Sequence, residues 1–461
     1  MTPPPIATAL RPNSPEARDV ANVLHPYTDM RAHEISGPVI IDRGNGVRVT
    51  DESGREYLEA VAGLWCASLG FSNERLVQAA AAQMRKLPFY HSFTAKSHAP
   101  MIDLAEMLIA RAPLPMSKVF FANSGSEAND SAIKMVWYYN NALGRPNKKK
   151  VIGRIKGYHG ITIASGSLTG LPNNHRSFDL PLPGFIHTMT PHFYHGGLPG
   201  ESEDDFATRC ADELEKLILA EGPENVAAFL AEPVMGAGGV IVPPAGYFPK
   251  IQAVLRKYDV LMVVDEVICG FWRTGNYWGS QTFDIQPDIL VCAKALSAAY
   301  LPISAVMVND RVYQALADES HKIGTFGHGY TYSGHPVAAA VAIETLKIYD
   351  EIDIGDHVQT VGPHLQSELR RRVADHPLVG DIRGVGLIGA IELVANKETR
   401  ENFDPALKVG PRFVKLVEAH GVIGRALPSD ALAFSPPLII TRDEIDQVLD
   451  KVEAALAEFT P

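Results

Sequence analysis

A chain of 461 residues with 46% hydrophobic, 8% aromatic and 21% charged side chains is globular and long enough to need at least two packed lobes. Its net charge of −11, with no basic run longer than Lys148-Lys149-Lys150, argues against a nucleic-acid partner. No apolar stretch approaches the roughly 20 residues that span a bilayer, and the four cysteines (Cys66, Cys210, Cys269, Cys292) lack any CxxC spacing, so a reduced, cytoplasmic protein without a membrane partner is expected.

Met1 to Ser14 is rich in Pro and Ala and reads as a loose arm rather than a secretory signal. Val39 to Val49 alternates like a hairpin around Gly44-Asn45-Gly46 and is expected to join the C-terminal lobe. From Met116 to Asn309 short apolar runs alternate with helical stretches. The predicted strands are Lys118 to Phe121, Val151 to Ile155, Val226 to Leu230, Leu261 to Val264, Ile289 to Cys292 and Ile303 to Val308. Ser126 to Ala142 and Asp205 to Ala220 are the predicted helices. The pattern predicts an α/β domain with a mostly parallel sheet between helices. Beyond about Pro336, helical stretches (Val337 to Ile348, Gly362 to Asp375) precede short strands such as Leu387 to Leu393, which suggests a smaller α+β lobe. The expected division is 1–65 as arm and part of a small domain, 66–335 as the large domain, and 336–461 as the rest of the small one.

In open parallel sheets ligands bind beyond the carboxyl ends of the strands, so polar residues directly after the apolar runs are the candidates. Phe121 is followed by Asn123-Ser124-Gly125-Ser126-Glu127, Val264 by Asp265-Glu266, and Cys292 by Ala293-Lys294. Ser124, Gly125 and Ser126 precede a predicted helix, whose unpaired N–H groups attract a phosphate, although the same residues suit a plain N-cap. Asp265, at the end of a buried strand, requires a cationic or hydrogen-bonding partner: a protonated ring nitrogen, or Arg273 in an ion pair. Lys294, desolvated at an equivalent place, is suited to act as a nucleophile, where most lysines are surface charges.

The run Val264 to Phe271 followed by Arg273-Thr274-Gly275, with Lys294 to Ser297 and Tyr300 to Ile303, resembles the class III aminotransferases. Asn123 to Ala128, Gly157-Tyr158-His159-Gly160, Glu232 to Gly236 and Thr331 to Pro336 add to the resemblance, which covers nearly the whole chain. It implies the aspartate-aminotransferase-like fold, known as fold type I, and a pyridoxal 5'-phosphate enzyme whose cofactor alternates with pyridoxamine 5'-phosphate. It further implies a homodimer with shared active sites, or a tetramer built from it. Lys294 would carry the cofactor and move the substrate's proton, and Asp265 would hold the pyridine nitrogen protonated. Gly125 and Ser126, beside Ser124, would bind the phosphate with Thr331 of the partner subunit. Tyr158 and Val267 would flank the ring, with Glu232 nearby. Two departures stand out. Trp272 replaces a common glycine, and Ala295, Ala298 and Ala299 occupy places often held by glycine, harmless only if none needs positive φ.

Leu64-Trp65-Cys66 and Phe89 to Phe93 resemble pocket segments of the ω-amino-acid and amine:pyruvate transaminases. Leu64, Trp65, Tyr158, Ala237 and Phe93, the last from the partner subunit, would wall an apolar pocket. Arg425, in Ile423-Gly424-Arg425-Ala426, matches the mobile arginine that pairs with a carboxylate. The reaction implied is ping-pong transfer of an amino group from an amine or ω-amino acid to a keto acid such as pyruvate. Decarboxylation, epimerisation or aminomutase chemistry with the same cofactor, and a non-catalytic binding role, are the alternatives.

Overall fold

The computed structural model describes residues 11–461, so most of the expected loose arm lies outside the described residues. The predicted hairpin forms from β1 (Ile41–Asn45) and β2 (Arg48–Asp51), and β3 (Glu56–Glu59) adds antiparallel to β2.

The central sheet is assembled from β4 (Lys118–Ala122), β5 (Lys150–Arg154), β6 (Phe185–Thr188), β7 (Val226–Ala231), β8 (Leu261–Asp265), β9 (Ile289–Cys292) and β10 (Ser304–Val308), in the order β4-β10-β9-β8-β7-β5-β6. Pairs from β9 to β6 are parallel, while β10 is antiparallel to both its neighbours. Six of the seven strands therefore end at the same edge. β7 and β8 are buried along their whole length, as strands covered on both faces must be. Their alternating side chains divide between two cores. Ala228, Leu230, Leu261 and Val263 meet the helix Gly125–Ala142 through Ala132, Ile133 and Val136. Phe229, Met262 and Val264 share the other core with Phe206, Cys210 and Leu214 of the helix Glu203–Glu221.

The C-terminal strands are β11 (Val379–Val385), β12 (Ile388–Leu393), β13 (Val422–Ile423), β14 (Arg425–Leu427) and β15 (Ala431–Phe434). β11, β12, β15 and β14 form an antiparallel sheet, whereas β13 pairs parallel with β3 and so extends the N-terminal hairpin sheet. Only Gly424 separates β13 from β14, so these two sheets hold Arg425 between them.

Several predicted elements shift. β6 was not expected, because Phe185-Ile186-His187-Thr188 has no sustained apolar run. β5 stops before Ile155, which is exposed. The last expected helix starts at Ile354 rather than Gly362, with Pro363 inside it. Cys210, Cys269 and Cys292 are buried, Cys66 is partly exposed, and none forms a disulfide. No described helix is long and apolar enough to cross a membrane.

Both loop departures have structural answers. Trp272 has φ +74° and its ring occupies the space over Gly355, where an added Cβ would lie 2.7 Å from it. Ala298 and Ala299 do adopt positive φ, +49° and +69°, so the condition for a harmless change fails at both, while Ala295 has an ordinary φ. Ala299 is exposed, so its methyl contributes little packing to offset the left-handed backbone. Ala299→Gly is expected to stabilise the protein by about 1 kcal/mol, read as a higher denaturant midpoint.

Candidate active site

The shared strand direction brings the candidates together. Beyond β4, Ser124 accepts from Glu127 N at 3.2 Å and caps the helix Gly125–Ala142. The amides of Gly125 and Ser126 are left without intrahelical partners at the positive end of the dipole. A Cβ at Gly125 would lie 3.2 Å from Val267, so bare backbone keeps that space open. Gly160, at φ +139°, brings its backbone against Ser126, whose Oγ accepts from Ile161 N and keeps its own proton to donate.

Asp265, last in β8, is 3% exposed. Its Oδ2 accepts from Asn129 Nδ2 and His159 Nδ1, both at 2.9 Å, and its Oδ1 from Val267 N at 3.1 Å. Arg273 is not its partner: that guanidinium donates to the carbonyls of Leu387 and Pro436. Asp265 makes no ion pair with an arginine or lysine among the described residues, and Oδ1 retains a lone pair.

Lys294 follows β9 with φ +51°. Its Nζ lies 5.5 Å from the centre of the Trp65 ring, and Arg425 stacks on the same ring at 5.1 Å. Burial lowers the pKa of both cations. Glu232, buried after β7, accepts from Tyr158 N at 3.0 Å and Gly236 N at 2.9 Å, which ties two loops across the site; its own pKa is raised by burial.

Between these groups lies a cavity of about 770 Å³. Leu64, Trp65, Gly125, Ser126, Tyr158, Glu232, Ala237, Asp265, Val267, Lys294 and Arg425 all line it. Ser124, Phe93 and Thr331 do not. Ser124 is occupied as the helix cap, Phe93 is 45% exposed and lies against Gly329, and Thr331 is exposed nearby. Several lining residues were not singled out from sequence. Asn129 sits one helical turn inside a predicted helix, His159 within a quoted motif, and Lys156 directly after the predicted strand Val151 to Ile155, so all three were within reach; Tyr27 carried no local signal. Tyr27, whose hydroxyl accepts from Asn174 Nδ2 at 2.5 Å, joins the N-terminal segment to the short helix Pro172–His175.

Residues 29–456 match the family described as aminotransferase class-III. Relatives include γ-aminobutyrate transaminase 1, mitochondrial, of Solanum lycopersicum, 50% identical over 95% of this chain and 85% of its own, and its namesake from rice (Oryza sativa subsp. japonica), 52% identical over 93% and 83%. Among solved structures, the ω-transaminase of Pseudomonas jessenii in complex with PMP is 56% identical, with a TM-score of 0.95, covering 96% of this chain and 98% of that one. A thermostable mutant of the Pseudomonas jessenii enzyme superposes equally well, with 55% identity over 97% and 99%.

Class III aminotransferases use pyridoxal phosphate, and the residues present suit it. The N-terminal amides of the helix Gly125–Ala142 and Ser126 would take the phosphate, the free lone pair of Asp265 a protonated ring nitrogen, and Lys294 the aldehyde carbon. A carboxylate that loses a donor holds its charged form less well, so less negative charge would face a protonated ring nitrogen. His159→Ala or Asn129→Ala is therefore expected to weaken cofactor retention by about tenfold or more, measured from visible absorbance after gel filtration. Because the Lys294 pKa is lowered, its neutral, nucleophilic form is reached at lower pH than for an ordinary lysine. The rate of cofactor attachment to apoprotein should rise with pH and level off below the ordinary lysine range, in stopped-flow absorbance.

Proposed function

We propose that this chain, which belongs to the class III aminotransferases, transfers an amino group from an ω-amino acid or other amine to a keto acid such as pyruvate in two half-reactions. The observation that carries the reading is Arg425: a guanidinium without an ion pair among the described residues, stacked on Trp65 in an apolar cavity beside Lys294. A desolvated guanidinium gains strongly from a carboxylate that it can hold with two hydrogen bonds. The Trp65, Leu64, Val267 and Ile268 surfaces suit the carbon chain of an amine. One site can thus receive both substrates in turn. The names of the curated relatives, γ-aminobutyrate transaminases, support an ω-amino acid as donor.

Bound pyridoxal phosphate supplies the electron sink and carries the amino group between half-reactions. Asp265, held by Asn129 and His159, keeps a negative charge where the ring nitrogen would lie. Lys294 Nζ, with its lowered pKa, is suited to take the proton from the substrate carbon that bears nitrogen and to deliver it again. Tyr158 is fixed through its backbone by Glu232 and offers a ring face to the cavity.

Self-association completes this reading. Phe93 and Thr331 lie outside their own chain's cavity, within an exposed aromatic surface that includes Phe89 and Tyr332, whose rings are 5.5 Å apart. A second copy that covered this surface would bury it, in keeping with Phe93 and Thr331 serving the neighbour's site. Unpaired cysteines are in keeping with a reducing compartment such as the cytoplasm.

With a purified amine donor and pyruvate, alanine formation is expected, and Lys294→Ala should abolish it. Arg425→Ala should lower kcat/KM for pyruvate by about tenfold or more while costing much less with an uncharged aldehyde acceptor; equal losses would remove Arg425 from carboxylate recognition.

A further inference from the structure

Besides Lys294 and Arg425, the cavity wall holds a third cation without an ion pair among the described residues. Lys156 lines it, two residues before Tyr158, and its Nζ donates to Ser429 Oγ at 3.0 Å. That is its one hydrogen bond among the described residues, so an ammonium with three donors has two to offer. The carboxylate behind it is already taken: Glu392 pairs with Arg383 at 2.6 Å and also binds His195. Burial lowers the Lys156 pKa, against an opposing pull from the Glu392 carboxylate. A buried cation whose neighbouring carboxylate is shared with Arg383 and His195 is a cost to the empty protein that an anionic ligand reduces.

Arg425 and Lys156 stand at different places. Arg425 and Lys294 both contact the Trp65 ring, at 5.1 and 5.5 Å from its centre. Lys156 is bound to the turn after β14, where Pro428 and Leu427 continue the wall. One carboxylate close to the reacting carbon needs only Arg425. A carboxylate at the far end of an aliphatic chain, as in an ω-amino acid, needs a cation further along the wall.

Building on the transaminase reading, we propose that Lys156 forms a second anion subsite. It takes the distal carboxylate of longer ω-amino acids and their aldehyde products, while Arg425 serves carboxylates next to the reacting carbon. Lys156 is then the residue that separates ω-amino acids from uncharged amines of the same length, and its contribution grows with chain length.

The test pairs each acid with its uncharged counterpart in the holoenzyme: 4-aminobutyrate with n-butylamine and 6-aminohexanoate with n-hexylamine, pyruvate saturating. The readout is the ratio of kcat/KM for acid over amine. Lys156→Met should lower that ratio by about tenfold or more, chiefly through KM and more for the six-carbon pair, and Lys156→Arg should retain most of it. Calorimetric binding of hexanoate, which has no amine to react, should weaken by a similar factor. The proposal is overturned if Lys156→Met leaves the ratio and hexanoate binding unchanged. It is equally overturned if acid and amine lose alike, since that marks a structural role. Failure of the wild-type protein to transaminate any amine with pyruvate would strike the reading beneath it, and is seen separately in the same assay.

Discussion

Asp265 is a buried carboxylate at the end of a fully buried strand, held by one amide, one imidazole and one backbone N–H rather than by a strong cation. Taking such a charge out of water costs several kcal/mol unless a positive group faces it. Much of the site can be understood from that constraint. Asn129 comes from the helix Gly125–Ala142, whose N-terminus forms the anion cradle, and His159 from the loop that presents Tyr158. The groups that satisfy the carboxylate are thus the ones that position the cradle and the ring face. A group that carries a phosphate at one end and a protonated ring nitrogen at the other would satisfy both cradle and carboxylate.

The strand directions make this arrangement available. With β10 the single reversed strand, the ends of β4, β7, β8 and β9 deliver Gly125, Glu232, Asp265 and Lys294 to one edge. Reversing any of those four would place its polar residue on the opposite side of a sheet with no buried passage. The reversed strand costs the site nothing, because Ser304, at the start of β10, only donates to Ser124 O.

The central strands could be read from sequence because double-sided burial demands unbroken apolar runs, and polar residues directly after them stand out. That logic singles out Asp265, Lys294 and Gly125, which line one cavity in the structure. It could not find β6, a short edge strand with histidine and threonine in it. It also missed residues whose role depends on long-range assembly: Tyr27 is tied to Asn174 of the short helix Pro172–His175, and Lys156 to a turn 273 residues later. Tyr27 has no neighbours in sequence that betray its place, whereas Lys156 follows the predicted strand Val151 to Ile155 and is a strand-end residue like Asp265. Ala298 and Ala299 show a different limit, since alanine at positive φ violates the local preference that sequence reasoning relies on. The strain lies in the loop that presents Lys294, itself at positive φ, where tertiary packing overrides local propensity.

The cavity's charge balance bears on what it selects. Lys294, Arg425 and Lys156 all line a wall whose carboxylates, Asp265 and Glu232, are already committed to internal donors. A phosphate at the cradle and a substrate carboxylate would bring the negative charge that these cations lack. An uncharged amine would supply none, leaving both Arg425 and Lys156 desolvated and unpaired at a cost on the order of 1–3 kcal/mol each. Apolar walls alone would favour the amine; apolar walls holding unpaired cations favour the amino acid of equal length. The electrostatics of the empty cavity therefore point toward anionic substrates even though most of its surface is hydrocarbon.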